Sequence, residues 1–335
     1  MNAIAACILG CEGTVLRAGE RSFFAETSPW GFILFARNVD SPDQLRRLTG
    51  DLRDAVGRDA PVFVDQEGGR VQRLRAPHWR EWPPALDMVD AAGPHAPRAM
   101  YLRARLIAAE LRAAGIDGNC APVVDIAGPL THPFLRNRCH GRDLATVIAV
   151  ARAVAGGLQD GGVLPVMKHM PGHGRATMDT HMDLPRVAEA AQALRDSDFA
   201  AFRALSDLPL GMTAHIVFSA FDDRPATCSA PMIRMIREEI GFGGLLMTDD
   251  LSMQALSGTL AERATAARRA GCDVMLHCNG KRDEMQAVAA ASGVLAGAAL
   301  ARAGAALAAR RAPDGADPAA LEAELRPLVQ GWANA

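Results

Sequence analysis

The sequence predicts an α/β fold, a single (β/α)8 barrel of the TIM type with long βα loops and a C-terminal helical extension. Eight short apolar runs alternate along the chain with helical stretches, a pattern that calls for parallel strands joined by right-handed crossovers. Ionisable residues fall at or just after the ends of these runs: Asp65, Asp125, Lys168, His169, His215, Asp249 and His277. That is the end at which barrel enzymes build their sites. The chain has 335 residues, enough for one barrel of about 250 residues and its loop insertions. An open doubly wound sheet is the competing arrangement of the same elements. No G-x-G-x-x-G or Walker-type loop follows the first run, so nucleotide binding has no support.

The first strand is expected at residues 3–9. It lacks a basic start and a long apolar stretch, so it does not read as a signal peptide. The second strand, 31–35, precedes Ser41-Pro42, an N-cap and first-turn proline for a helix that carries Leu45, Leu48 and Leu52 on one face. The third strand, 61–64, runs into Asp65-Gln66-Glu67-Gly68-Gly69-Arg70-Val71-Gln72-Arg73. A helix at 101–114 is stopped by Gly115, and residues 120–126 (CAPVVDI) are expected as the fourth strand. A long loop with Arg136, Arg138, His140 and Arg142 follows, then a helix at 144–158 and a fifth strand at 163–167. The remaining strands are expected at 210–214, 244–247 and 273–276, separated by helices at 187–205, 232–240 and 260–270. An Ala-rich helical region, a break at 313–317 and a last short helix at 318–329 complete the chain. The expected division is a catalytic barrel over residues 1–310 and an extension over 311–335.

Hydrophobic residues make up 49% of the chain and charged residues 22%, with a formal net charge of −2. No long run of one sign occurs, which excludes an electrostatic nucleic-acid or membrane-surface binder. The interval 284–302 is too weakly apolar to span a bilayer comfortably. Seven cysteines without a C-x-x-C pair read as reduced structural thiols. A monomer in a reducing cytoplasm is expected.

Residues 163–185, VLPVMKHMPGHGRATMDTHMDLP, concentrate the reactive side chains. A buried strand ends in Lys168 and His169, and Pro171-Gly172-His173-Gly174 then breaks regular structure. Asp179 and His181 are two apart, so in extended backbone both point to one side. The carboxylate can then orient the imidazole for proton transfer near neutral pH. Alternatively, Asp179 caps a turn and His181 is merely solvated. Metal binding by His169, His173 and His181 is a further reading, although Pro171 and Gly172 exclude the helix that would align the first two. Gly172 and Gly174 give the segment 170–182 the freedom of a lid over the site.

Asp249 supplies a carboxylate at the end of the seventh strand. A carboxylate facing an acid–base group across a sugar-sized gap is what a retaining glycosidase requires. GFILFARN at 31–38, DQEGGRVQR at 65–73, CAPVVDI at 120–126, KHMPGHG at 168–174, D-T-H at 179–181 and TDDLSM at 248–253 together give the chain a recognisable character. It resembles the bacterial β-N-acetylhexosaminidases of glycoside hydrolase family 3 over nearly its whole length. The resemblance implies a single barrel, a covalent intermediate and no cofactor or metal. It places Asp249 at the nucleophile position, His181 at the acid/base position and Asp179 as its partner. Asp65, Arg73, Arg138, Lys168 and His169 fall at positions that hold the N-acetylglucosamine ring. Two departures stand out: D-T-H replaces D-S-H, and Leu135-Arg136-Asn137-Arg138-Cys139 replaces the expected small-residue turn before an acidic residue and Arg.

The expected activity is therefore exo-acting removal of terminal N-acetylglucosamine from cell-wall muropeptides during peptidoglycan recycling, with a small carbohydrate as the only partner. A phosphorylase using the same site, a metal-dependent hydrolase and a non-catalytic sugar-binding protein are the competing readings.

Overall fold

The computed structural model describes residues 3–178 and 184–329. Eight parallel strands form its centre: β1 (Ala5–Gly10), β2 (Pro29–Leu34), β3 (Val62–Val64), β4 (Gly118–Asn119), β5 (Leu164–Met170), β6 (Leu210–Thr213), β7 (Leu245–Met247) and β8 (Met275–His277). From β1 to β7 each pairs with its sequence neighbours, and β8 pairs with β1. A parallel bridge between Met247 and Val274 joins β7 to the start of β8 and closes the ring. The fold is the (β/α)8 barrel that the alternating pattern predicts.

Alternation along each strand sorts side chains into two layers. Ala6, Ile8, Trp30, Phe63, Leu164, Val166, Leu210, Met212, Leu245, Met247, Val274 and Leu276 fill the interior. Cys7, Leu9, Phe32, Leu34, Val62 and Val64 point outward and pack under the helices, among them Leu45, Leu48 and Leu52 of helix Pro42–Val56. Ser41 caps that helix as expected, its hydroxyl accepting from the Gln44 N–H at 3.4 Å. On β4, a side chain at Gly118 would run into the Phe63 ring. Glycine there leaves room for the aromatic that fills the barrel, stacked 5.9 Å from Trp30.

Three expected elements differ. The fourth strand is Gly118–Asn119, upstream of residues 120–126, which follow β5 only irregularly through Val166 N–H to Ala121 O and Lys168 N–H to Pro122 O. Pro122 has no N–H to give, which stops a regular ladder there. The fifth strand extends to Met170, so Lys168 and His169 lie within it rather than beyond it. Residues 187–205 do not form one helix. A short strand, Arg186–Val187, precedes two helices, Ala191–Asp196 and Asp198–Arg203. The Ser197 hydroxyl at their junction donates to Ala193 O at 2.6 Å and to Asp198 Oδ2 at 2.8 Å, the local competition with backbone bonding that makes serine a helix breaker.

The closed, N-terminal end of the barrel is tied by two buried carboxylates. Asp117 accepts from Val62 N–H at 2.8 Å and Arg53 at 3.1 Å, and pairs with Arg310 at 2.8 Å. Asp273 accepts from Leu246 N–H at 2.9 Å, Arg237 at 2.7 Å and Arg302 at 2.6 Å. Helix Gly297–Ala308 carries Arg302 and places Ala303 and Ala306 against the interior residues. Helix Pro318–Leu328 packs on helix Ala96–Ala113, with Arg98 bidentate to Glu324 at 2.6 and 2.8 Å. Among the described residues no helix is long and apolar enough to cross a membrane.

Candidate active site

The open end of the barrel holds a cavity of about 240 Å³ lined by Asp65, Arg73, Arg138, Lys168, His169 and Asp249, with Phe35, Phe134 and Met253 at its apolar wall. Strand ends deliver most of these groups. Asp65 follows β3, Lys168 and His169 close β5, and Asp249 stands two residues past β7. The pairing of β5 with β6 shifts between Met167 and Met170. That irregularity suspends strict alternation where two consecutive side chains must reach the same cavity. Asp179 and His181 lie outside the described residues.

The polar groups are bound into a charge-balanced cluster. Lys168 Nζ lies 2.9 Å from Asp65 Oδ1 and 2.5 Å from Glu67 Oε1. Arg73 donates to Asp65 Oδ2 at 3.0 Å. Arg138 grips Glu67 with a fork, Nε to Oε2 and Nη2 to Oε1, both at 2.8 Å. Burial works against every one of these charges, yet the ion pairs outweigh it. Lys168 is held above its ordinary range by Asp65 and Glu67, and Arg138 is raised by Glu67. Burial raises the Asp65 and Glu67 carboxyls, but Lys168 with Arg73, and Arg138 with Lys168, hold them below the usual range.

Asp249 is also kept ionised. Burial pushes it up, but the His169 and His215 imidazoles, the Asp250 N–H at 2.8 Å and the Lys168 ammonium together bring it below the usual range. His215 braces the same loop, with Nε2 at 3.0 Å from Asp250 O and Nδ1 at 2.8 Å from the Thr227 hydroxyl.

His169 is oriented from both sides. Its Nδ1 lies 2.7 Å from Asp125 Oδ2 and its Nε2 3.3 Å from Arg138 Nη2. A guanidinium only donates, so Nε2 accepts and the proton sits on Nδ1, facing Asp125. With both nitrogens engaged, this ring has no lone pair left for a metal. Asp125 also receives the His173 N–H at 2.7 Å, which fixes the chain after β5. Gly172 N–H to His169 O, Ala176 N–H to His173 O and His132 N–H to Ala176 O pin residues 171–176, which are largely buried. These bonds hold the first half of the segment expected to act as a lid; its second half, from residue 179, lies outside the described residues.

His140 and His173 are both buried, and burial lowers each to about 4. Their folded values lie below the ordinary histidine value of about 6.5. They therefore contribute stability above that pH and lose it as pH falls toward 4, by about 1.4 kcal/mol per pH unit each. The melting temperature is expected to drop steadily between pH 6.5 and 4.5. A flat profile over that interval, measured by calorimetry, would contradict this burial.

Of the residues expected from sequence, Asp65, Arg73, Arg138, Lys168, His169 and Asp249 converge on one cavity. Glu67 and Phe134 were not foreseen, and Asp125 and His173 were noted without these partners. Phe134 stands beneath two arginines, with Arg70 3.4 Å and Arg138 5.5 Å from its ring centre. The only signal for Glu67 was its place two residues past Asp65, on the same motif.

A tight hairpin makes that placement possible. Gln66–Gly68 pairs antiparallel with Val71–Gln72, and Gly68 has φ +101°. A Cβ on Gly68 would overlap the Arg103 guanidinium and lie 2.8 Å from Pro83 O. Gly68→Ala combines left-handed strain of about 1 kcal/mol with overpacking of about 1–3 kcal/mol. Urea denaturation is expected to show a loss of at least about 2 kcal/mol, and a variant as stable as the parent would refute the close approach.

A cavity with ionised acceptors, fixed cationic donors and an apolar wall suits a neutral, hydroxyl-rich ring. The comparisons agree with that chemistry. The chain is 40% identical over 279 residues to a β-hexosaminidase of Alkalilimnicola ehrlichii, covering 81% of this chain and 80% of that protein. It is 39% identical over 273 residues to a β-hexosaminidase of Methylococcus capsulatus, covering 80% of each. Native NagZ from Neisseria gonorrhoeae superposes with a TM-score of 0.85 at 28% identity, over 98% of both chains, and the same protein has been solved with N-trifluoroacetyl-D-glucosamine. Residues 16–308 match the glycosyl hydrolase family 3 N terminal domain, and the chain belongs to that family.

Proposed function

We propose that this protein is a retaining β-N-acetylhexosaminidase that removes terminal N-acetylglucosamine from cell-wall muropeptides in peptidoglycan recycling. The observation that carries the reading is Asp249, half-buried at the mouth of the barrel with its carboxyl held below the usual range, beside a cluster of sugar-compatible donors and acceptors. The names of its relatives, and the amino-sugar analogue bound by its structural neighbour, support the substrate class.

Asp65 accepts from ring hydroxyls, while Arg73, Arg138 and Lys168 donate to ring and acetamido oxygens and His169 lines the same pocket. Asp249 attacks the anomeric carbon and forms a glycosyl ester as the aglycone leaves. His181, oriented by Asp179, protonates the departing oxygen and then takes a proton from the water that cleaves the ester. All seven cysteines are free, which supports a reducing, cytoplasmic setting.

The direct test is release of the aryl group from an aryl β-N-acetylglucosaminide and from the matching glucoside, each with and without phosphate. Hydrolysis of the first alone is the expected result. Equal rates on both sugars would refute the substrate class, and a phosphate requirement with sugar phosphate as product would identify a phosphorylase.

A further inference from the structure

Lys168 and Arg138 are long side chains that must lose most of their rotamer freedom to present charge at one place. Both line the cavity, but Glu67 does not. It lies behind them, facing a small buried space shared with Arg103 and His140. Both of its oxygens are engaged: Oε1 to Lys168 at 2.5 Å and Arg138 Nη2 at 2.8 Å, Oε2 to Arg138 Nε at 2.8 Å. The Glu67 side chain is 4% exposed, against 2% for Lys168 and 12% for Arg138. Off the cavity wall and buried, Glu67 acts on a ligand there through the two cations.

The Glu67 backbone is itself anchored from below. Buried Arg103 donates to Glu67 O and, at 2.9 Å, to Pro83 O, which ties the hairpin to the segment at residue 83. Burial draws Arg103 down to about 9, and the Glu67 charge opposes that fall. Glu67 also partitions the cations. Asp65 takes Arg73 and shares Lys168, while among the described residues Glu67 is the carboxylate at salt-bridge distance from Arg138. Without Glu67, Lys168 would keep Asp65 and Arg138 would lose its carboxylate among the described residues.

We propose that Glu67 is a positioning residue that holds Arg138 and Lys168 in the orientation in which they grip the N-acetylglucosaminyl ring, and so sets affinity for that sugar. This rests on the hydrolase reading above. The grip acts on the ring before and during reaction alike, so its loss should fall on binding more than on turnover.

Glu67→Gln keeps the shape and removes the charge. The dissociation constant for N-acetylglucosamine, by calorimetry, and KM for an aryl N-acetylglucosaminide are each expected to rise at least tenfold, with kcat reduced less than threefold. In an Arg138→Met background the same change should raise KM no more than about threefold, because residues acting through one another are not additive. Glu67→Asp, which keeps the charge but is too short to reach both cations, should give an intermediate rise and guards against a misfolded glutamine variant. Unchanged affinity in either folded variant, a fall in kcat alone, or full additivity with Arg138→Met would overturn the proposal. A parent enzyme that turns over the aryl glucoside and ignores N-acetylglucosamine would instead refute the hydrolase reading itself.

Discussion

Asp249→Ala is expected to lower kcat by about 10⁴-fold or more, the scale on which removal of a nucleophile acts in other hydrolases, while leaving the fold intact. The loss is this large because, among the described residues, the neighbouring carboxylates are already engaged. Asp65 and Glu67 are both tied up by cations, and Asp250 spends its carboxylate on the Ser252 hydroxyl at 2.6 Å and two loop N–H groups. Asp249 itself accepts the Asp250 N–H. A fluoro-glycoside should label one peptide of the parent, containing Asp249, and none of the variant. Label on Asp250, or residual activity within a hundredfold of the parent, would remove Asp249 from the role.

His181→Ala is expected to slow natural disaccharide substrates by about 10²–10⁴-fold, the range of general acid catalysis, and to slow aryl glycosides with good leaving groups far less. An activated leaving group departs without a proton, so the first step survives and the second becomes limiting. The dependence of rate on leaving-group pKa should therefore steepen. Asp179→Ala should follow the same pattern, since it leaves the imidazole unoriented. Equal losses across both substrate classes would point instead to a role in binding.

The barrel was legible because its signals are local. Each strand is a short apolar run, and Asp65, Lys168, His169 and Asp249 sit within two residues of the end of a barrel strand. The misplaced fourth strand shows the limit of that logic. CAPVVDI has the hydropathy of a strand, but Pro122 removes a donor that only the pairing with β5 makes necessary. Glu67 was illegible for a different reason. Its role depends on Arg138, 71 positions away, and on a cation from another strand, so no window of sequence holds both halves of the interaction. Arg138 illustrates the converse: its surroundings depart from the expected motif, yet the fork on Glu67 and the ring of Phe134 bring it into the cavity. His173 stands out in the sequence for its flanking glycines, whereas the bond of its N–H to Asp125, 48 positions earlier, is invisible there.

The carboxylates at the closed end carry a consequence for how this chain comes into being. Asp117 and Asp273 receive Arg310 and Arg302 from the chain beyond the eighth strand. A nascent chain that has exposed all eight strands to its surroundings, but still holds residues beyond 300 in the ribosomal tunnel, carries two acids destined for burial without these counter-charges. Burying an incompletely paired charge costs several kcal/mol, so the β7–β8 seam beside Asp273 gains its full strength only when Arg302 emerges. Emergence of residues 302–310 thus acts as the latch of the barrel, and a polypeptide halted before them would remain ajar at the end opposite to its chemistry.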